Sequence, residues 1–185
     1  MKDRLATILP PERVGELLTI GQERTLSSKE YFIRAGEIPT RFAYVKSGLF
    51  RYVYINDNGN EFTKSLIREN QFISSYSAMI SRNPSYFFIE SLEPSEILII
   101  AYRDWQKLLQ SDPFWTEFLL HLIEFGFSKK EKRERDLLLL NAENRYLNFL
   151  KEFPGMEKRI KQNIIASYLG IQPESLSRIR KKLDS

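Results

Sequence analysis

The chain of 185 residues has no cysteine and a single histidine, His121. The first absence excludes disulfides, thiolate metal sites, cysteine nucleophiles and cysteine-ligated iron–sulfur clusters. The shortage of histidine removes most catalytic triads and zinc sites. His121 falls in the middle of a helical stretch, where it reads as a packed or partly exposed side chain rather than a haem ligand. There is no P-loop and no GxGxxG. Glu90 and Glu93 stand in a turn-like context that reads as solvated carboxylates. The expectation is a non-enzyme without metal or cofactor. The N-terminus MKDRLATILPPERVGEL lacks the apolar core of a signal peptide. No run of about 18 apolar residues is present to span a membrane. These absences lead to the expectation of a soluble, cytoplasmic protein with no membrane partner.

What is present is a substantial core composition and an uneven charge. Apolar residues make up 42% of the chain and aromatics 13%, enough to argue against disorder. The net charge is +4. Residues 1–140 carry 19 Lys+Arg and 19 Asp+Glu, whereas residues 141–185 carry 9 Lys+Arg against 5 Asp+Glu. A basic module on a neutral body implies a polyanionic partner; a solvated basic tail is the plainer alternative.

Apolar positions Val14, Leu17, Leu18 and Ile20 predict a short helix after Pro11. From Glu30 to Tyr102, runs such as EYFIRAGE, RFAYVKSGLFRYVYI, EFTKSLI and ILIIAY alternate with turn signals. This pattern predicts an antiparallel barrel or sandwich, with NDNGN as a hairpin turn. Asp104 is read as opening a short helix, DWQKLLQS. Asp112-Pro113 then caps a long helix to about Leu140, about 40 Å at 1.5 Å per residue. Spacings such as Phe118, Leu122 and Phe125 suggest a coiled-coil seam, hence a homodimer; packing of the helix on its own barrel is the alternative. Asn141 caps a further helix that Pro154-Gly155 ends.

The stretch IKQNIIASYLGIQPESLSRIRKKLDS, from Ile160, predicts two short helices at a tight turn. Ile164, Ile165 and Leu169 bury one side of the first, and Ala166 is small where a second helix must cross. Gly170 supplies positive φ, and Pro173 suits the first position of the next helix. Leu176, Ile179 and Leu183 are expected to face inward. Glu174, Ser177, Arg178 and Lys181 occupy the other face. This is the plan of a helix-turn-helix that places its second helix in the DNA major groove. Arg178 has the chemistry to read guanine and Glu174 to accept from cytosine. Lys161, Gln162, Ser175, Ser177, Arg180, Lys181 and Lys182 have reach to phosphates.

With these residues in view, the chain resembles the cyclic-AMP receptor / fumarate–nitrate regulator (Crp/Fnr) family of bacterial transcription factors. AGEIPTRFAYVKSGLFRYVY and NGNEF look like its sensor barrel, the long helix like its dimer helix, and IIASYLGIQPESLSRIRKKL like its helix-turn-helix. The resemblance implies an α+β architecture with a jelly-roll, cyclic-nucleotide-binding-like barrel over residues 1–112. A dimerisation helix over 113–140 and an all-α helix-turn-helix domain over 141–185 follow. It implies a homodimer on near-palindromic double-stranded DNA, in contact with RNA polymerase. The family's three base-contacting positions map onto Pro173, Glu174 and Arg178, and Pro173 departs from members with Arg there. The hairpin wing that usually follows the recognition helix is expected to be missing, because the sequence ends at Ser185. The sensor departs too. Ile73-Ser74-Ser75 replaces the Gly-Glu pair that holds a ribose, and Ser85 or Tyr86 stands where an arginine holds the cyclic phosphate. Arg82 would serve only with a slipped register. The expected effector is therefore a small molecule other than a cyclic nucleotide, or none. Ser74, Ser75, Tyr76, Tyr86 and Phe88 are the candidate pocket residues. The competing reading is a dimeric ligand-binding or protein-interaction module without sequence-specific DNA binding.

Overall fold

A computed structural model describes residues 5–183. The chain divides into two compact units, one running to Asp112 and the other starting at Pro113. In the first, helix α1 (Pro11–Thr19) starts on a proline whose missing N–H costs nothing at that position, and it buries Val14 and Leu17. Eight strands follow among the described residues. They are β1 (Gly21–Leu26), β2 (Tyr31–Ile33), β3 (Arg41–Ser47), β4 (Phe50–Ile55), β5 (Glu61–Ile67), β6 (Phe72–Ile73), β7 (Phe88–Ser91) and β8 (Ser95–Ala101). Helix α2 (Tyr76–Ser81) lies between β6 and β7, and α3 (Tyr102–Ser111) follows β8.

The strands form two four-stranded sheets, ordered β1-β8-β3-β6 and β2-β7-β4-β5, with every pairing antiparallel. Both sheets contribute to one core: Leu26, Ala43, Val45, Ile73 and Ile97 from the first, Phe32, Ile33, Phe50 and Ile89 from the second. The architecture is therefore a two-sheet sandwich of jelly-roll type rather than a single closed sheet. The turn NDNGN is built as its composition suggests. The Asn56 side chain accepts from the backbone N–H groups of Asn58 and Asn60, and Gly59 takes φ 77°. At Gly48, φ is 107° and a side chain would run into Ser95, so the tight β3–β4 turn requires glycine. One boundary differs from expectation. Helix α3 begins at Tyr102, not at Asp104, which sits in its first turn bonded to Lys107 at 2.8 Å.

The second unit is helical. Helix α4 (Pro113–Leu139) has 27 residues and is followed by α5 (Ala142–Glu152), a 3-10 turn (Met156–Lys158), α6 (Gln162–Leu169) and α7 (Pro173–Leu183). Asn141 caps α5 by accepting from the Asn144 N–H at 2.9 Å. No helix of the described residues is long and apolar enough to cross a membrane.

Candidate nucleic-acid interface and effector site

Helices α5, α6 and α7 close on a small aromatic core. Tyr168 meets Phe149 at 5.8 Å and Phe153 edge-on at 5.7 Å, and Ile165, Ala166 and Leu176 are fully enclosed. The α6–α7 turn satisfies its own backbone. Gly170, at φ 66°, donates to Ser167, and Ile171 donates to Ala166 at 3.0 Å, which caps the last carbonyls of α6. Gln162 donates its side-chain amide to the Pro173 carbonyl at 3.3 Å, tying the two helix starts together.

With Leu176 inward, α7 turns its other face to solvent. Pro173, Glu174, Arg178, Lys181 and Lys182 are exposed; Ser175, Ser177 and Arg180 are half-buried. Glu174, Arg178 and Lys181 follow the i, i+4, i+7 spacing of one helix face. Arg178 donates to the Ser175 hydroxyl at 3.3 Å, and Lys182 pairs with Glu143 at 2.8 Å. Lys161 is exposed at the start of α6. Leu183 departs from its expected inward position: it is exposed, because α7 runs a full turn past its contact at Leu176 and Ile179.

The three expected seam residues of the long helix differ in exposure. Phe118 and Leu122 are half-buried, on the same side as the buried Trp115, and Phe118 joins Phe114 and Trp115 in a ring cluster. Phe125 is exposed, with the Lys129 ammonium 4.6 Å from its ring centre. At about 100° per residue, the exposed Leu120, Ile123 and Phe127 occupy the opposite face, and Phe127 is 65% exposed. Leu138 shares their direction. His121 is also exposed and holds the Glu117 carbonyl at 2.8 Å through Nδ1.

In the first unit, Ser75 and Ser85 are buried and share a 2.9 Å hydroxyl contact; the Ser85 hydroxyl also donates to the Phe87 carbonyl. Tyr52 stacks on Phe87 with centroids 5.0 Å apart, and its phenol oxygen accepts from the Ser74 N–H at 2.9 Å. Burial pushes the Tyr52 hydroxyl up to about 12, the Ser74 contact opposing this only in part. The Lys64 ammonium sits 4.0 Å from the Phe87 ring centre. Tyr76 is half-buried, and burial raises its pKa, with Tyr102 adding to the effect. Phe88 is half-buried against Tyr31. Tyr86 stands out from this group into solvent: it is 85% exposed. Ser85 and Phe87 are the inward residues there, one step out of phase with the expected Tyr86 and Phe88.

A buried cation is nonetheless present. Arg51, 5% exposed, holds Glu90 at 2.5 Å and Glu61 at 2.6 Å. Glu90 is 6% exposed and stands directly across the sheet from Arg51, so it is no solvated turn carboxylate. By strand alternation Arg51 points to the face of β4 opposite Tyr52.

Residues 23–112 match the family model of the cyclic nucleotide-binding domain. The cAMP-activated global transcriptional regulator CRP of Haemophilus influenzae is 22% identical, over 85% of this chain and 75% of its own. The structure of the c-di-GMP responsive global regulator CLP of Xanthomonas campestris superposes with a TM-score of 0.75 at 18% identity, over 94% of this chain and 91% of that one. FixK2 of Bradyrhizobium japonicum gives 0.77 at 17% identity, over 89% and 85%. The chain therefore shares the fold of these regulators, and residues 23–112 are similar to the cyclic nucleotide-binding domain.

Against that likeness the departures become specific. In the serine pair, Ser75 and Ser85 stand at or beside the positions where the resemblance looks for a carboxylate and an arginine, and each satisfies the other. Between the long helix and the helix-turn-helix, a polar cluster surrounds Asp136. It accepts from Lys132 at 2.8 Å and from Asn148 at 3.3 Å, and Lys132 also reaches Glu152 at 3.3 Å. Burial opposes ionisation of Asp136, but the contacts with Lys132 and Asn148 outweigh it and hold its pKa below the usual range. The Arg133 guanidinium lies 4.0 Å from the Tyr168 ring centre. Sequence reasoning missed this cluster and the Arg51 site, because neither has a local motif.

Proposed function

We propose that this chain is a homodimeric, DNA-binding transcription regulator whose sensor responds to something other than a cyclic nucleotide. The observation that carries the reading is the exposed face of α7. Glu174, Arg178 and Lys181 stand together on a helix whose opposite side is locked by Leu176 and the Gly170 turn. A rigid helix offering a guanidinium and a carboxylate suits base edges, with Pro173 as a third, non-donating contact. Lys161, Ser175, Ser177, Arg180 and Lys181 serve phosphates; Gln162 and Lys182 do so only by leaving Pro173 and Glu143.

A dimer sets the spacing of two such helices, about one DNA turn apart. The stripe Leu120, Ile123 and Phe127 is the face for it, since apolar residues of this size gain most by burial against a like surface. Leu120→Glu combined with Ile123→Glu is expected to turn the dimer into monomer in sedimentation, whereas Phe125→Glu leaves it dimeric.

The sensor reading is supported by what fills the sandwich. The Tyr52–Phe87 stack and the Ser75–Ser85 pair occupy the region, and Arg51 is held by two carboxylates on the other side of its strand. Calorimetric titration with cyclic AMP is expected to show no binding; saturable heat would overturn this part alone. For DNA, binding to mixed sequence should weaken steeply with salt. Arg178→Ala should cost about 1–3 kcal/mol and relax preference at one base pair. Salt-insensitive or undetectable binding would favour a dimeric interaction module instead.

A further inference from the structure

Arg82, which the sensor motif leaves out of register, has a different setting in the fold. It ends helix α2 in the left-handed conformation, φ 54° and ψ 37°, where glycine or asparagine is usual. A non-glycine residue there carries strain that surrounding structure must hold, and such positions concentrate at ligand sites. Its side chain has no partner among the described residues. It lines a groove of about 640 Å³, within the range of small-molecule sites.

The groove has a consistent chemistry. Ile38, Pro39 and Met79 give it apolar walls, and Arg82, Arg103 and Tyr102 give it donors; no acidic side chain lines it. Ile38 is exposed by half its surface, an apolar residue of the sensor unit without a cover. Beside Arg103, Asp104 lies at 3.7 Å and is already bonded to Lys107 at 2.8 Å. The backbone of Tyr102 donates to Thr40 at 2.8 Å, which fixes the 38–40 loop against the start of α3. The wall opposite is α2, whose Met79 is buried and which starts at the Ser75–Ser85 pair.

We propose that this groove binds an amphipathic anion, a small molecule with an apolar body and one carboxylate or phosphate head. Arg82 and Arg103 hold the head, with the Tyr102 hydroxyl in support. Ile38, Pro39 and Met79 take the body. The site goes beyond the DNA-binding reading and does not rest on it, because its test reads ligand binding directly.

The test is calorimetric titration of the full-length protein with decanoate, decyl phosphate, decanol and inorganic phosphate, all below micellar concentration. One saturable site is expected for decanoate or decyl phosphate, and the tighter of the two identifies the head group. Decanol and inorganic phosphate should bind about ten-fold more weakly or less, since each lacks one half of the recognition. Arg82→Gln and Arg103→Gln should each weaken the amphiphile about five-fold or more. Both residues are exposed, so the melting temperature without ligand should not change. Ile38→Asp should weaken it with the cations intact. Equal affinity for decanol, unchanged affinity in the double arginine variant, or no saturable binding of either amphiphile would overturn the proposal.

Discussion

In the sandwich unit, the guanidinium of Arg51 is enclosed between Glu61 and Glu90, 5% exposed. In the helical unit, Arg178 and Lys181 stand in solvent on a helix whose other side is closed. The same residue types are used in opposite ways. The sandwich confines a charge by a register that brings residues 39 positions apart into contact. The helix-turn-helix displays charge by a periodicity that needs no distant partner. A cation confined by two carboxylates is unavailable to an anionic ligand; a displayed cation is open to one. The α7 face is open to an anion in a way that the Arg51 site is not.

The strongest way to break this contrast is to remove one carboxylate from the confined cation. Glu90→Leu should destabilise the sensor unit by about 3–5 kcal/mol, because it leaves a buried charge short of its partner. Urea unfolding measures it. The double variant Arg51→Met, Glu90→Leu should recover most of that loss, since apolar replacement of a buried pair is often neutral. A double variant as unstable as the single would show that Arg51 is not confined at such a cost, and the contrast would fail.

The display of charge depends on the turn before α7. Gly170→Ala forces a side chain into the left-handed region, at a cost of about 1–2 kcal/mol. The added carbon would meet Leu137 only at 3.4 Å, so the effect is backbone strain rather than a clash. Thermal unfolding of the helical unit should register it, and Gly170→Asn should cost less, because asparagine tolerates positive φ.

The Asp136 cluster lies between the two extremes, half-buried and paired. Its carboxyl titrates below its unfolded value. Its contribution is therefore present above the ordinary carboxylate range and is lost as pH falls through that range and below. Unfolding free energy should decline between about pH 5 and pH 3, and Asp136→Asn should flatten that decline. An unchanged slope would mean that the cluster does not stabilise the unit.

The two modes of handling charge also explain what was legible beforehand. The turn at Gly170, the start at Pro173, the cap at Asn141 and the hairpin at NDNGN are local chemistry, and each was visible in a few adjacent residues. The sandwich class followed from short aromatic strands between turns. The Arg51–Glu90 pair depends on sheet register, so Glu90 looked like a solvated acid. The phase of residues 84–88 is a matter of one step: Tyr86 instead of Ser85 and Phe87 was the wrong choice of face, and period two alone does not decide it. Periodicity leaves the dimer face undecided for a related reason. The first half of α4 is apolar on both sides, and periodicity cannot say whether the Phe118 row or the Leu120 row is left uncovered.

The smallest effect is the most discriminating, because Lys182 belongs to both modes at once. It is displayed near the end of α7, yet pairs with Glu143 at 2.8 Å with 68% of its side chain exposed. An exposed pair of this kind is worth about 0.2–1 kcal/mol and fades with salt, so Lys182→Ala should barely move the melting temperature. Glu143→Ala removes the same pair and should match that small loss. On DNA the two variants should diverge. Without Glu143 the ammonium loses that pair, and affinity should hold or rise. Without Lys182 affinity should fall, and the slope of binding against salt should drop by about one. If both variants lower affinity equally, Lys182 acts by holding α7 against α5 and not by touching phosphate.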